Sequence, residues 1–220
     1  KQKTAYEIPK RDWSSDVCSS DLCDVRVVDV TRPDDVRAVV DEFAARRGGL
    51  DIVVNNAGVS LPTPMSFDDE DFRANWNLTF DVNLNAHIDL VRFALPHLRK
   101  SDAARIVNIA STEAIVATPG ISAYSASKAA VTGLTRSLAV ELGPLGITVN
   151  CVCPGPIRTG MTAAIPDETK DKYARRRVAL RRYADPEEVA HMTLSLCLPA
   201  MSFTTGATIT VDGGVTIRHT

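Results

Sequence analysis

The chain has 220 residues, a formal net charge of −2 at pH 7 and 45% hydrophobic residues. This length and composition suffice for one domain with a substantial core, and the charge gives no reason to expect nucleic acid or a membrane surface as a partner. No segment approaches the roughly 18 apolar residues of a membrane span, and the N-terminus lacks the apolar core of a signal peptide. The five cysteines have no metal-ligand spacing, so we expect no metal site and a reducing, cytoplasmic environment.

Residues 1–22 differ in character from the rest of the chain, because they show neither the alternation of a strand nor the period of a helix. Their Ser and Asp content is typical of loop or disorder. The segment resembles a translated sequencing-adapter fragment joined to a gene, and the alternative is a natural variable terminus. We therefore expect residues 23–220 to form one domain and residues 1–22 to lie outside it.

Strand and helix patterns alternate from Cys23 onward. The apolar, β-branched runs predict strands over 25–31, 50–55, 105–111, 147–153 and 207–211. Helical patterns cover Thr31 to Gly48, with Thr31 as cap and Pro33 in the first turn, then 67–98 with a break near 75–77, 122–142 and 185–198. A loosely patterned insertion fills 160–183. This alternation predicts an α/β fold with a doubly wound, mainly parallel sheet and a ligand site at the carboxyl ends of its strands.

Tyr124 and Lys128 lie four residues apart, which places them one turn apart on the same helical face. A nearby ammonium favours the phenolate, so we expect Lys128 to lower the pKa of Tyr124 and suit it to general acid–base catalysis. The alternative is a solvated helix face. Ser111 and Pro154-Gly155 end two neighbouring predicted strands at the same edge as this helix start, which favours a catalytic site.

These motifs, in their order and approximate spacing, resemble the short-chain dehydrogenase/reductase family. The matching segments are Asn55-Asn56-Ala57-Gly58, Asn83, Ser111, Tyr124-x-x-x-Lys128 and Pro154-Gly155-Pro156-Ile157-Arg158-Thr159, within about residues 23–214. The resemblance implies a Rossmann-type sheet and an NAD- or NADP-dependent oxidoreductase that interconverts a ketone and a secondary alcohol. The 3-oxoacyl-acyl-carrier-protein reductases are the best-known relatives. Family members are usually homotetramers, and a homodimer is the alternative.

The family assigns catalytic roles to four matching residues. Tyr124 is implied to be the proton donor in reduction and the base in oxidation, and Lys128 to lower its pKa and bind the nicotinamide ribose. Ser111 is implied to hold the substrate oxygen, and Asn83 to hold a water of the proton relay. For Asn83 the alternative is an ordinary residue at a helix bend.

The family also implies a set of cofactor contacts. Asp29 and Val30 resemble the pair that contacts adenine, and Asn56, Ala57 and Gly58 resemble the segment along the cofactor. Pro154, Gly155, Ile157 and Thr159 match the turn that holds the nicotinamide carboxamide. The alternative for Asp29 is a turn former, and Thr159 also suits the cap of the following helix.

The family's phosphate-binding turn, commonly Thr-Gly-x-x-x-Gly-x-Gly, has no counterpart here, since no glycine precedes Gly48. Glycines let backbone N–H groups approach the phosphates closely. We therefore expect an N-terminally truncated sheet with one exposed edge, and weak dinucleotide binding by this polypeptide. NAD and NADP both remain open. A catalytically silent fragment or scaffold is the alternative function.

The substrate side carries weaker signals. Glu113 lies two residues after Ser111, where it would bind a substrate hydroxyl or face water, and Ile121 is among the apolar residues that suggest a hydrophobic pocket. The insertion at 160–183 is rich in Lys and Arg. It would attract an anionic substrate or an acyl carrier protein, and the alternative is a solvated charged surface.

Overall fold

A computed structural model describes residues 24–218, so the predictions for residues 1–22 lie outside the described residues. Four parallel strands form one sheet and follow each other in chain order. They are β1 (Ile52–Asn55), β2 (Arg105–Ile109), β3 (Thr148–Pro154) and β4 (Thr208–Val211). The α-helices of the described part are α1 (Pro33–Arg47), α2 (Asp69–Phe80), α3 (Ala86–Leu98), α4 (Ser122–Leu142), α5 (Asp167–Arg177) and α6 (Pro186–Cys197). Every connection between neighbouring strands contains a helix, as parallel pairing requires.

Helices cover both faces of the sheet. Successive residues of a strand point to opposite sides, so the same strands contribute side chains to a core on each face. Ile106 and Val149, which are register partners, belong to the core that α1, α3 and α4 cover. Val107 and Val152 point the other way and pack with Leu196 of α6. The predicted doubly wound, mainly parallel α/β sheet is therefore confirmed.

β1 is the outer strand of the described sheet, and one of its faces is exposed. Val53 is buried, whereas Ile52 and Val54 are 42% and 40% exposed. The prediction of a strand over 25–31 is wrong: residues 24–29 belong to no strand, and Val27 is fully exposed. A strand needs a neighbour for its backbone N–H and C=O groups, and no strand among residues 24–218 pairs with this segment. An apolar edge of this kind favours aggregation.

The start of α1 differs from the prediction in its cap. Pro33 occupies the first turn as predicted, and Gly48 ends the helix with a φ of 78°. Thr31 does not cap the helix, because the residue before Pro33 is Arg32 and the Thr31 hydroxyl instead donates to the Asp29 carboxylate at 2.7 Å. The turn at Asp29 therefore uses the hydroxyl that a cap would need.

Asp81–Asn85 form a π-helical turn that joins α2 to α3. The predicted break near 75–77 is wrong, since α2 runs through those residues to Phe80. A π turn accommodates one extra residue per turn and changes which side chains point inward, and such turns occur often at functional sites. Here the turn directs Asn83 into the interior, where its side chain is fully buried.

The later elements follow the predictions closely. α4 covers the predicted 122–142, and α6 begins with the predicted acidic turn. The Glu188 carboxylate accepts a hydrogen bond from the Asp185 N–H at 2.9 Å, which completes a capping box. No helix within residues 24–218 is long and apolar enough to cross a membrane.

Arg181 has a φ of 56°, and no other non-glycine residue among residues 24–218 has a positive φ. The left-handed conformation is unfavourable for a residue with a Cβ by roughly 1–2 kcal/mol, whereas glycine adopts it readily but loses more chain entropy on folding. We expect Arg181→Gly to raise the free energy of unfolding by about 0.5–1 kcal/mol in urea denaturation. Arg181→Ala is the matched control, because it removes the same charge but keeps the Cβ. An equal gain in both variants would contradict the backbone explanation.

Candidate active site

The predicted catalytic residues meet at the carboxyl ends of β2 and β3. Ser111 lies just beyond β2, and Pro154 ends β3. The N-terminal part of α4 brings Tyr124 and Lys128 to the same place. The Ser111 hydroxyl lies close enough to the Tyr124 phenol to lower its pKa, so the two hydroxyl groups can contact one oxygen atom together.

Tyr124 differs from the prediction in its titration. Burial of the ring raises the pKa of Tyr124, and the hydrogen bond with Ser111 acts in the opposite direction without cancelling it. The Lys128 nitrogen lies 5.8 Å from the centre of the Tyr124 ring. The expected lowering of the Tyr124 pKa is therefore wrong for this structure, because desolvation of the phenolate outweighs the opposing effect of Ser111.

Lys128 is itself buried, with 3% of its surface exposed. Its Nζ donates a hydrogen bond to the Ile109 carbonyl at 2.9 Å, at the end of β2. Burial lowers the pKa of Lys128 to about 8, because water no longer stabilises the ammonium. An amine that titrates near neutral pH is suited to take part in proton transfer.

Asn83 is held by both its amide groups. Its Oδ1 accepts from the Val59 N–H at 2.8 Å, and its Nδ2 donates to the Val59 carbonyl at 2.9 Å and to the Ser127 hydroxyl at 3.0 Å. Ser127 belongs to the helix turn between Tyr124 and Lys128. Asn83 therefore links the segment after β1 to the helix that carries Tyr124 and Lys128.

The segment after β1 passes close to Lys128. A Cβ placed on Gly58 would lie 3.3 Å from the Lys128 Nζ and 3.4 Å from the Asn83 Oδ1, so only a residue without a side chain leaves this space open. Ala57 is half-buried and Asn56 is exposed. The backbone of Ala57 and Gly58 therefore leaves open space beside Lys128.

The turn after β3 packs against the turn after β4. A Cβ on Gly155 would lie 2.7 Å from the Asp212 Cα, which real side chains do not tolerate, so glycine is required for this close approach. Ile157 is buried, and Thr159 and Thr162 form a capping box at the following turn. Pro154 lies beside Val211 of β4 in the sheet. Thr159 thus stands at the predicted cap position, and its N–H donates to the Thr162 Oγ1 at 3.1 Å.

Three comparisons place this geometry among known proteins. A family model described as enoyl-(acyl carrier protein) reductase matches residues 12–216. A 3-oxoacyl-acyl-carrier-protein reductase of Thermotoga maritima is 36% identical over 194 residues, which are 88% of this chain and 77% of that protein. A meso-2,3-butanediol dehydrogenase of Serratia marcescens is 38% identical over 192 residues, 86% of this chain and 73% of that protein.

A solved structure agrees with these sequence matches. The ligand-free aldohexose dehydrogenase of Thermoplasma acidophilum has a TM-score of 0.83 at 32% identity, covering 91% of this chain and 81% of that one. The chain belongs to the short-chain dehydrogenase/reductase family. It is thus a member of a family of NAD(P)-dependent oxidoreductases, and the Rossmann-type character of its sheet is confirmed.

A second solved structure of the family contains the cofactor. The gluconate 5-dehydrogenase of Burkholderia cenocepacia, in complex with NADP and tartrate, has a TM-score of 0.80 at 32% identity, covering 88% of this chain and 75% of that one. Relatives of this short-chain dehydrogenase/reductase chain thus bind NADP in the same fold.

Glu113 takes a part in this dehydrogenase/reductase fold that the sequence did not indicate. Its carboxylate accepts hydrogen bonds from the Thr118 N–H at 3.0 Å, the Thr118 hydroxyl at 2.8 Å and the Ser125 hydroxyl at 3.1 Å. It therefore ties the loop before α4 to the first turn of that helix. Ile121, the residue before α4, is half-buried and contacts Thr63 through a β-bridge.

Asp29 behaves as a turn former in the described part of the short-chain dehydrogenase/reductase chain. It is exposed, its carboxylate accepts from the Thr31 hydroxyl and the Thr31 N–H, and these hydrogen bonds lower the pKa of Asp29. Val30 is half-buried in the same turn. The contact of both residues with adenine stays a prediction.

The sequence patterns did not predict a network of buried, hydrogen-bonded polar side chains beneath the site. The Asn55 side chain donates to the Asn108 Oδ1 at 2.7 Å, and the Asn108 Nδ2 donates to the Thr135 hydroxyl at 2.9 Å. An asparagine in the middle of the β-branched run 105–111 was the available signal, because a buried amide in a central strand needs partners. Among residues 24–218, no cluster of three His, Cys, Asp or Glu side chains could hold a metal ion.

Proposed function

We propose that this chain interconverts a ketone and a secondary alcohol by hydride transfer, with Tyr124 as general acid and base. The observation that carries the proposal is the convergence of Ser111, Tyr124 and Lys128 at the carboxyl ends of two parallel strands. In reduction, the carbonyl oxygen accepts hydrogen bonds from the hydroxyls of Ser111 and Tyr124, and Tyr124 then gives up its proton. Two such donors stabilise the charge that develops on the oxygen.

Lys128 and Asn83 serve the same proton transfer. Lys128 is cationic below a pH of about 8, so its charge favours the phenolate that remains after Tyr124 has donated its proton. Asn83 holds the Val59 backbone and Ser127, and it would hold a relay water beside Lys128. In oxidation the same groups work in reverse, and Tyr124 takes the proton of the alcohol.

The residues present fit the nicotinamide end of NAD or NADP, which supplies or accepts the hydride when bound. Gly58 leaves room beside Lys128, and the close contact of Gly155 with Asp212 shapes the turn Pro154–Thr159. We assign Asn56, Ala57, Gly58, Tyr124 and Lys128, with Pro154, Gly155, Ile157 and Thr159, to this half of the cofactor. Asp29 and Val30 would contact its adenine.

A catalytically silent scaffold is the second candidate, and a separate observation favours it. No glycine precedes Gly48, so this polypeptide offers no glycine-rich turn for the pyrophosphate. The convergence of Ser111, Tyr124 and Lys128 supports retained chemistry, whereas a polypeptide without that turn would bind the cofactor weakly. The two candidates differ in one measurable quantity, the affinity for the dinucleotide.

For the substrate we propose a small carbonyl compound or its alcohol, with Ile121 and Ile157 beside it. A substrate carried by acyl carrier protein is the finer alternative, because relatives are named for it and 160–183 is rich in Arg and Lys. The last turn of α5, however, contains Arg175, Arg176 and Arg177, and the helix dipole stabilises cations there without any binding partner.

We propose further that residues 23–220 form one cytoplasmic domain that assembles into a homotetramer or homodimer. Exposed apolar side chains support self-association: Val140 on α4 is 81% exposed, Leu194 on α6 is 58% exposed, and Phe203 is fully exposed.

The function is tested by following oxidation of NADH and NADPH with a panel of ketones, including a 3-oxoacyl thioester. We expect turnover of at least one ketone at high dinucleotide concentration, because the catalytic residues are in place. Absence of turnover with saturating dinucleotide would contradict the oxidoreductase proposal, whereas absence of dinucleotide binding would favour the scaffold.

A further inference from the structure

His87 is a buried imidazole on α3 that has no part in the roles assigned above. Its side chain is 1% exposed, and it lies four residues after Asn83. That spacing places both residues on the same side of the helix, towards the segment after β1. The position next to a proton-transfer site makes its hydrogen bonds informative.

The contacts of His87 define its tautomer. Its Nε2 lies 3.2 Å from the Ala57 carbonyl oxygen. A carbonyl can only accept, so Nε2 carries the proton and donates, and Nδ1 of the neutral ring is a bare acceptor. That Nδ1 is buried and has no hydrogen-bond partner among residues 24–218. Packing alone does not explain an imidazole here, because an unpaired buried acceptor is unfavourable and an aliphatic side chain would avoid it.

The backbone from Ala57 to Val59 is held from three sides. His87 contacts the Ala57 carbonyl, and Asn83 bonds both the N–H and the carbonyl of Val59. Lys128 closes the third side, since its Nζ would lie 3.3 Å from a Cβ on Gly58. The Ala57–Gly58 peptide is therefore confined by His87 and Lys128.

The charge state of His87 agrees with this arrangement. Burial and the neighbouring charge of Lys128 on α4 lower the pKa of His87 to about 4, although the hydrogen bond to the Ala57 carbonyl acts in the other direction. The imidazole is therefore neutral at neutral pH, and it adds no second positive charge beside the ammonium.

We propose that His87 is a positioning residue: its Nε2–H holds the Ala57 carbonyl and thereby keeps the Ala57–Gly58 peptide packed against Lys128. This inference rests on the proposed function for its catalytic meaning. The contact itself is independent of turnover, so it can be tested by spectroscopy even if the chain is inactive.

The first test is ¹⁵N NMR of protein labelled at histidine, with His87→Gln to assign the signal. We expect a protonated Nε2, an unprotonated Nδ1 and no titration between about pH 5.5 and pH 9. The proton on Nδ1, or titration near the ordinary value of about 6.5, would overturn the proposal.

The second test follows the titration of Lys128 by ¹³C NMR of its Cε in three variants. His87→Leu fills the space without a donor, and we expect it to shift the Lys128 midpoint downward from about 8 by roughly one unit, because apolar surroundings disfavour the ammonium. His87→Gln keeps an N–H donor and should bring the Lys128 midpoint most of the way back to that of the unmutated chain. His97→Leu, on the same helix but paired with Asp41 at the surface, is the matched control and should leave it unchanged.

An unchanged Lys128 midpoint in His87→Leu would overturn the positioning role, as would an equal shift in His97→Leu. In a chain that turns over, His87→Leu should raise the KM for the dinucleotide about tenfold with a smaller change in kcat, the equivalent of one hydrogen bond. Failure of turnover in the unmutated chain would count against the proposed function alone, since both NMR tests would still decide the role of His87.

Discussion

Tyr124→Phe is expected to reduce kcat for ketone reduction by about 10²- to 10⁴-fold, because phenylalanine fills the same space but has no proton to give. The fold should be unaffected, since the ring contacts remain and only the hydroxyl near Ser111 is lost. The measurement is steady-state turnover at saturating dinucleotide, with far-UV circular dichroism and a denaturation curve as checks on folding.

Tyr183→Phe is the matched control for this change. Tyr183 is buried, and its ring packs edge-on against Tyr173 of α5. Tyr183→Phe should therefore retain a kcat within about threefold of that of the unmutated chain. Activity that survives in Tyr124→Phe would show that another group transfers the proton, and an equal loss in both variants would indicate a general effect of removing a buried phenol.

Dinucleotide affinity is the second large effect. We expect the 220-residue polypeptide to bind NADH and NADPH more weakly than micromolar, because no glycine precedes Gly48 and the pyrophosphate therefore lacks close backbone N–H donors. Two or three charge-assisted hydrogen bonds of roughly 1.5–3 kcal/mol each correspond to about 10²- to 10⁶-fold in the dissociation constant. Isothermal titration calorimetry measures this constant directly.

A chimaera provides the comparison. A strand–turn–helix–strand unit with the family's Thr-Gly-x-x-x-Gly-x-Gly turn would replace residues 1–24, and we expect its addition to strengthen dinucleotide binding by at least about 100-fold. The same chimaera with alanine in place of the turn glycines should bind as weakly as the original chain. Micromolar binding together with ketone turnover by the unmodified polypeptide would contradict the expectation.

Part of the site follows from local spacing alone. Tyr124 and Lys128 are one turn apart in any helix that contains them, and Ser111 and Pro154 end β-branched runs that are typical of buried strands. Because parallel strands direct their carboxyl ends to one edge, these local patterns already predict that the residues meet.

Electrostatic behaviour did not follow from spacing. The sequence places a positive charge near Tyr124, but burial of the ring is the dominant effect in the structure and raises the pKa of Tyr124. Glu113 looked available to a substrate, yet Thr118 and Ser125 occupy its carboxylate. Both outcomes depend on which segments lie around a side chain, and a linear pattern does not contain that information.

The sequence by itself therefore determined the fold class and the absence of glycine before Gly48, and it predicts the catalytic set Asn83, Ser111, Tyr124 and Lys128. Only the tertiary structure decided that residues 25–31 form no strand, that a π turn directs Asn83 inward, and that the His87 Nε2 lies within hydrogen-bond distance of the Ala57 carbonyl. The physical reason is the range of the interactions. Helical periodicity and strand alternation act over a few residues, whereas burial, strand pairing and hydrogen bonds across the interior join segments that are tens of residues apart.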